Sequence, residues 1–254
     1  MSLEKGEKTM TQNEGKNSKA ALLLPFRCIV FVLVFVIGAA LTGKNVKDIS
    51  NWWSIVASAV NIVTILLIVL VAKKHGKTYR KQLNLKKGLD TPKRTIILVI
   101  LFCAVGMSGM YAAGLICYGS VMPKAALDVV APIPLALAVI NLIVLPATVS
   151  FAEDGLYLGL GVNSFKNKYA AIFIPAFFYA LQHCFIPTMF DAKYMLYRFL
   201  SFLPLTVIFC RNYQKNKNPL PIMIAHAILD FATGMMILLT SASSELYEKW
   251  GSMI

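Results

Sequence analysis

The stretch from Pro134 to Leu160, PLALAVINLIVLPATVSFAEDGLYLGL, decides how this chain is read. It is apolar throughout except for the adjacent acids Glu153 and Asp154 and a few small polar residues. Crossing the hydrocarbon core of a bilayer takes roughly 20 helical residues. Lipid offers no water to backbone groups, so a run of this kind must be a helix or part of a closed barrel. The strict alternation of barrel strands is missing, so the stretch reads as a helix, bent at Pro146, where a backbone donor is lost. Two carboxyl groups inside such a helix are costly, and residues of this kind face a protein interior or a wet cavity and mark function.

The rest of the chain has the same character. Hydrophobic residues make up 57% of the 254 and charged residues only 15%, with a mean hydropathy of +0.66; a soluble domain of this size needs a more charged surface. Apolar runs predict helices at about Ala20–Leu41, Trp52–Ala72, Thr95–Tyr118, Pro134–Leu160, Tyr169–Phe185, Tyr194–Cys210 and Leu220–Thr240. The fold class is therefore all-α, a multi-pass transmembrane bundle of about seven helices. Residues 1–19 read as a flexible polar tail, 20–240 as one membrane domain and 241–254 as a short polar tail. No internal repeat is visible. The small residues Gly38–Ala40 mimic a cleavage site, but the run before them is long enough to stay as an anchor. The five cysteines sit in or at the ends of apolar segments and read as packing residues rather than a disulfide framework.

The net charge of +13 concerns orientation rather than nucleic acid, which is not an expected partner. With the N-terminus inside, eighteen of the 25 basic residues fall on the cytoplasmic side and five outside. That split predicts a cytoplasmic N-terminus and an outer C-terminus, in a cell membrane. The basic loop Lys73–Arg94 is also placed to meet anionic headgroups.

Five ionisable residues stand out within the later helices: Glu153, Asp154, His183, His226 and Asp230. His226 and Asp230 are four apart and share a helix face, as do Tyr179 and His183. Counting from the loops at 1.5 Å per residue puts Glu153, His226 and Asp230 roughly 10–16 Å from the cytoplasmic end, and His183 roughly 20 Å. Tilted helices bring all of them to one cavity in the inner half of the membrane. A carboxylate and a histidine together can deprotonate water, and a second histidine can donate to the oxygen that becomes negative when a carbonyl is attacked. Glu153, His183, His226 and Asp230 also form a plausible zinc ligand set, although no H-E-x-x-H motif is present. Spacing alone does not separate the two chemistries.

Three segments carry a resemblance. Phe151-Ala-Glu-Asp-Gly-Leu-Tyr-Leu-Gly159 resembles the first motif of the CAAX protease and bacteriocin-processing (CPBP) family, two adjacent acids followed by an arginine. Phe178-Tyr-Ala-Leu-Gln-His183 resembles its second, an aromatic four residues before a histidine. His226-Ala-Ile-Leu-Asp230 resembles its third, a histidine followed four residues later by Asn or Asp. Order and spacing agree over roughly 134–240.

The resemblance implies an intramembrane glutamic-type peptidase related to type II CAAX prenyl endopeptidases. Carried over by position, Glu153 and His183 activate water, His226 and Asp230 stabilise the oxyanion, and Asp154 and Tyr179 support them, with no cofactor or metal. Three positions depart from the pattern: Leu158 stands where the arginine is expected, Tyr179 where phenylalanine is usual, and Asp230 where Asn is common. An ionised Asp230 donates no hydrogen bond, so it either carries a proton or orients His226. The expected substrate is a peptide or membrane-associated protein: a bacteriocin, a signalling peptide or a prenyl-protein-like chain. The rival expectation is a catalytically silent scaffold or immunity protein that binds a membrane partner. The lack of paired broken helices argues against a transporter.

Overall fold

The computed structural model describes residues 20–86, 88 and 90–253; the expected N-terminal tail lies outside the described residues. The fold is helical, as expected. The main helices are α1 (Phe26–Thr42), α2 (Trp53–Lys74), α3 (Pro92–Tyr118), α4 (Leu135–Val149), α5 (Lys168–Gln182), α6 (Ala192–Asn216), α7 (Leu220–Ala242) and α8 (Ser244–Met253). A π-helix, Ser150–Gly161, continues α4. Among the described residues, six helical segments are long and apolar enough to cross a membrane: Ala21–Thr42, Val46–Lys74, Pro92–Tyr118, Leu135–Ser164, Ala192–Asn216 and Leu220–Ala242.

The fifth expected helix is the exception. α5 has 15 residues, about 22 Å of rise, short of a hydrocarbon core of roughly 30 Å. It stops at a turn whose carbonyls need donors away from water; backbone N–H groups supply some and Arg198 of α6 adds two more. Its Nε donates to the carbonyl of His183 (3.3 Å) and its Nη2 to that of Ile186 (2.8 Å). The second difference is at the C-terminus, where the residues expected to form a polar tail fold as α8. The Ser243 hydroxyl accepts from the N–H of Leu246, and a Cβ added at Gly251 would lie 3.7 Å from Leu127 Cδ1.

α6 packs against both α3 and α5, and α7 against α4 and α3. Little hydrophobic force pulls helices together in lipid, so close backbone approach and buried hydrogen bonds do the work. Gly109 shows the first: a Cβ there would lie 2.6 Å from the Ser201 carbonyl oxygen of α6. A polar stripe on α2 shows the second, with Ser58 donating to Asn141 (2.8 Å) and Asn61 to Thr148 (3.0 Å). One end of the bundle is tied by polar contacts among its loops. There Lys217 Nζ donates to Asn163 (2.8 Å), and the Asn163 amide bonds to Gly159 O and Tyr213 Oη.

Candidate active site in the bundle interior

Shortly after Pro146 the hydrogen-bond ladder of α4 widens from an i→i+4 to an i→i+5 spacing. Such π segments recur at functional sites because they re-aim side chains. Every residue of Ser150–Gly161 except Phe151 is buried. Outside donors brace the altered backbone: Tyr79 Oη to Phe151 O and Gln82 Nε2 to Gly159 O, both at 2.6 Å. Gly155 leaves room for this brace: a Cβ there would lie 2.7 Å from Tyr79 Oη and 2.9 Å from Ile68 Cδ1, so those side-chain ends would have to shift.

The π-helix turns Glu153 and Asp154 inward, 3% and 0% exposed. Arg27 of α1, itself fully buried, donates from Nη2 to Glu153 Oε1 at 2.7 Å. Gln182, at the end of α5, donates from Nε2 to Glu153 Oε2 at 2.7 Å. The Gln182 amide has no freedom to turn over, because its Oε1 accepts from Arg27 Nε (2.6 Å) and Tyr157 Oη (3.3 Å). Arg27 Nη1 reaches Thr64 Oγ1 at 3.2 Å. All three guanidinium nitrogens are thus engaged.

Asp154 faces a second network. Tyr179 Oη donates to Asp154 Oδ1 (2.8 Å) and lies 2.9 Å from His226 Nδ1. A phenol has one proton; with it donated to Asp154 Oδ1, Tyr179 accepts from His226, so Nδ1 carries hydrogen. His226 Nε2 then faces Asp230 Oδ2 at 3.2 Å and Glu153 Oε2 at 3.6 Å. Two carboxyl groups around one ring nitrogen require a proton between Nε2 and Asp230, on either partner. Asp154 Oδ2 makes no hydrogen bond among the described residues and lies 3.5 Å from His226 Nδ1.

His183 borders this network. Its Nδ1 is 2.9 Å from the carbonyl of Tyr179; a carbonyl only accepts, so Nδ1 carries the hydrogen and, in the neutral ring, Nε2 keeps the lone pair. Phe202 stacks on the imidazole at 3.5 Å between centroids, and the Tyr179 ring lies 6.3 Å away on its own helix.

Glu153, Asp154, Tyr179, His226 and Asp230 therefore meet directly, and His183 adjoins them through Tyr179 and the neighbouring Gln182. Among the described residues no three His, Cys, Asp or Glu side chains are arranged to hold a metal ion. Of the alternative zinc set, Glu153, His226 and Asp230 lie together, but both Glu153 oxygens are engaged by Arg27 and Gln182 and His183 Nδ1 is held by the Tyr179 carbonyl. Leu158 is packed in the apolar core. Arg198 makes its hydrogen bonds to the turn after α5. The residues missed from sequence are Arg27 and Gln182. Arg27 is the one charge in the run Ala20–Leu41, and the cost of a charge in lipid already marks it.

Apolar helices of membrane-crossing length around buried acids and histidines define a polytopic helical membrane protein with a polar interior site. Residues 135–232, less than half of the chain, match the family of type II CAAX prenyl endopeptidases, Rce1-like. The match covers all three motifs and bears out the resemblance to membrane endopeptidases of the CAAX type. No curated protein and no solved structure matches the chain.

Proposed function

We propose that this protein is an intramembrane endopeptidase that hydrolyses a peptide bond in a peptide or membrane-associated protein without a metal. The observation that carries the reading is the pairing at Glu153: a buried carboxylate, gripped at both oxygens, with His226 Nε2 3.6 Å from Oε2. Water held between Glu153 and the free Nε2 of His183 gives a proton to this pair as its oxygen adds to the substrate carbonyl carbon. The oxyanion receives the hydrogen bond from the proton shared by His226 Nε2 and Asp230. Collapse of the intermediate breaks the C–N bond, and the proton taken from water passes to the departing nitrogen. Asp230 serves by orienting and charging His226, as an aspartate rather than asparagine must. Tyr179 and Asp154 fix the ring from its other nitrogen. The membrane is that of a cell, and the substrate approaches from or along the bilayer.

The test is N-terminal peptide mapping of membranes that carry wild type or Glu153→Gln at equal levels. Removing a water-activating base costs on the order of 10²–10⁴ in rate, so new termini made by wild type should vanish in the variant. Identical sets of termini would refute the peptidase and leave the silent scaffold, bound to a membrane partner, as the reading.

A further inference from the structure

The first motif lacks its arginine, yet Glu153 is not without a guanidinium. We infer that Arg27 of α1 has taken over the post left empty at Leu158 and is the positioning residue that holds Glu153 in shape for water activation; this rests on the peptidase reading above. In a π-helix the N–H of residue i+5 bonds to the carbonyl of residue i. Leu158 therefore stands about one π-turn after the acid pair, four residues from Asp154 and five from Glu153, the place from which an arginine would reach back to that pair. Leucine there is buried in the apolar core and supplies nothing polar. The guanidinium comes instead from a helix more than a hundred residues earlier in the chain, at 2.7 Å from Oε1.

Three features separate this from an incidental ion pair. Arg27 is wholly buried, where a charge is retained only when its partners are built around it. Its fork grips two partners of the same site at once, Nη2 on Glu153 and Nε on Gln182. Through Gln182 it also sets the second oxygen of Glu153: with Oε1 of the amide held by Arg27 and Tyr157, only Nε2 can face the carboxylate. Arg27 makes no hydrogen bond to His183, His226 or Asp230 among the contacts described above; its contacts reach the site through Glu153 and Gln182. Lysine cannot reproduce the grip, since a single ammonium lacks the planar fork that spans both partners.

Relocating the charge tests this. Arg27→Leu should lower the appearance of wild-type-specific termini by roughly 10²-fold, the scale of a misplaced reacting group. Arg27→Leu combined with Leu158→Arg should recover most of that loss while leaving thermal stability at the level of the single variant, because a relocated arginine no longer ties α1 to the site. A merely structural Arg27 gives the opposite: activity follows stability, and the double variant recovers neither. Arg27→Lys keeps charge and approximate volume, and decides the matter if the leucine variants do not reach the membrane. At wild-type level it should show the same order of loss, and full activity would overturn the inference. Glu153→Gln, run alongside, distinguishes the two claims: if it too is fully active, the peptidase reading itself has failed, whereas an inactive Glu153→Gln beside an active Arg27→Leu removes only the role given to Arg27.

Discussion

Tyr179→Phe deletes one oxygen atom and restores the residue usual at this place in the second motif, so it isolates what the phenol contributes here. In the fold that oxygen links Asp154 Oδ1 at 2.8 Å to His226 Nδ1 at 2.9 Å. Both partners are buried, and hydrogen bonds to charged groups are worth about 1.5–3 kcal/mol each. Losing two suggests a cost of roughly 3–6 kcal/mol, but part is recoverable. Asp154 Oδ2 already lies 3.5 Å from His226 Nδ1, and a closing movement of about 0.6 Å makes a direct bond of ordinary length. One bond is then regained, and the expected net destabilisation is about 1.5–3 kcal/mol. Denaturant titration of the protein in detergent micelles measures it. The stronger check is a cycle with Asp154→Asn, because side chains that share a network show coupling energies of roughly 0.5–3 kcal/mol. Strict additivity of Tyr179→Phe and Asp154→Asn, or a Tyr179→Phe variant as stable as wild type, would refute the network and with it the orientation assigned to His226.

Three further outcomes are expected. Single cysteines placed in Lys73–Arg94 of a cysteine-free variant should resist an impermeant thiol reagent in intact cells, while cysteines in Ser244–Met253 should react; the reverse pattern would invert the topology drawn from charge. Proteolysis by purified protein should persist in metal-free buffer with strong chelators, and loss followed by recovery on adding Zn²⁺ would overturn the direct water activation assigned to Glu153 and His183. Gly155→Ala should destabilise the bundle by roughly 1–3 kcal/mol, since the new methyl would displace Tyr79 from Phe151; unchanged stability in the same titration would show that the π-helix is not braced from the α2 side.

Much of this architecture is legible before any coordinates. Long apolar runs leave little choice but membrane helices, and the cost of charge in lipid singles out Glu153, Asp154, His226 and Asp230, which do meet. What periodicity does not carry is hydrogen-bond register. Nothing in SFAEDGLYLGLG distinguishes α from π, because the switch depends on Tyr79 and Gln82 reaching across from another segment to brace the released carbonyls. The end of α5 is similarly hidden: Phe185 is as apolar as the helix before it, and the stop is made affordable by Arg198, a residue of the next helix. Gln182, uncharged and beside a more conspicuous histidine, gives no signal of its own; only the donors on its Oε1 reveal that its amide is aimed.

Arg27 is a different kind of omission, since the rule that picked out the acids applies to it equally. The motif places an arginine close to the acids in sequence, and Leu158 in that place suggests a missing counter-charge. The physical requirement is only that a buried carboxylate have a cationic partner within bonding distance, and sequence separation does not enter it. At Glu153 that cation comes from elsewhere in the bundle. The first helix contains one candidate, and it is fully buried against the site. An ionisable residue on an early helix, outside the matched 135–232 segment, therefore pairs with the first acid of the motifs, and the apolar stretch that carries it supplies that contact.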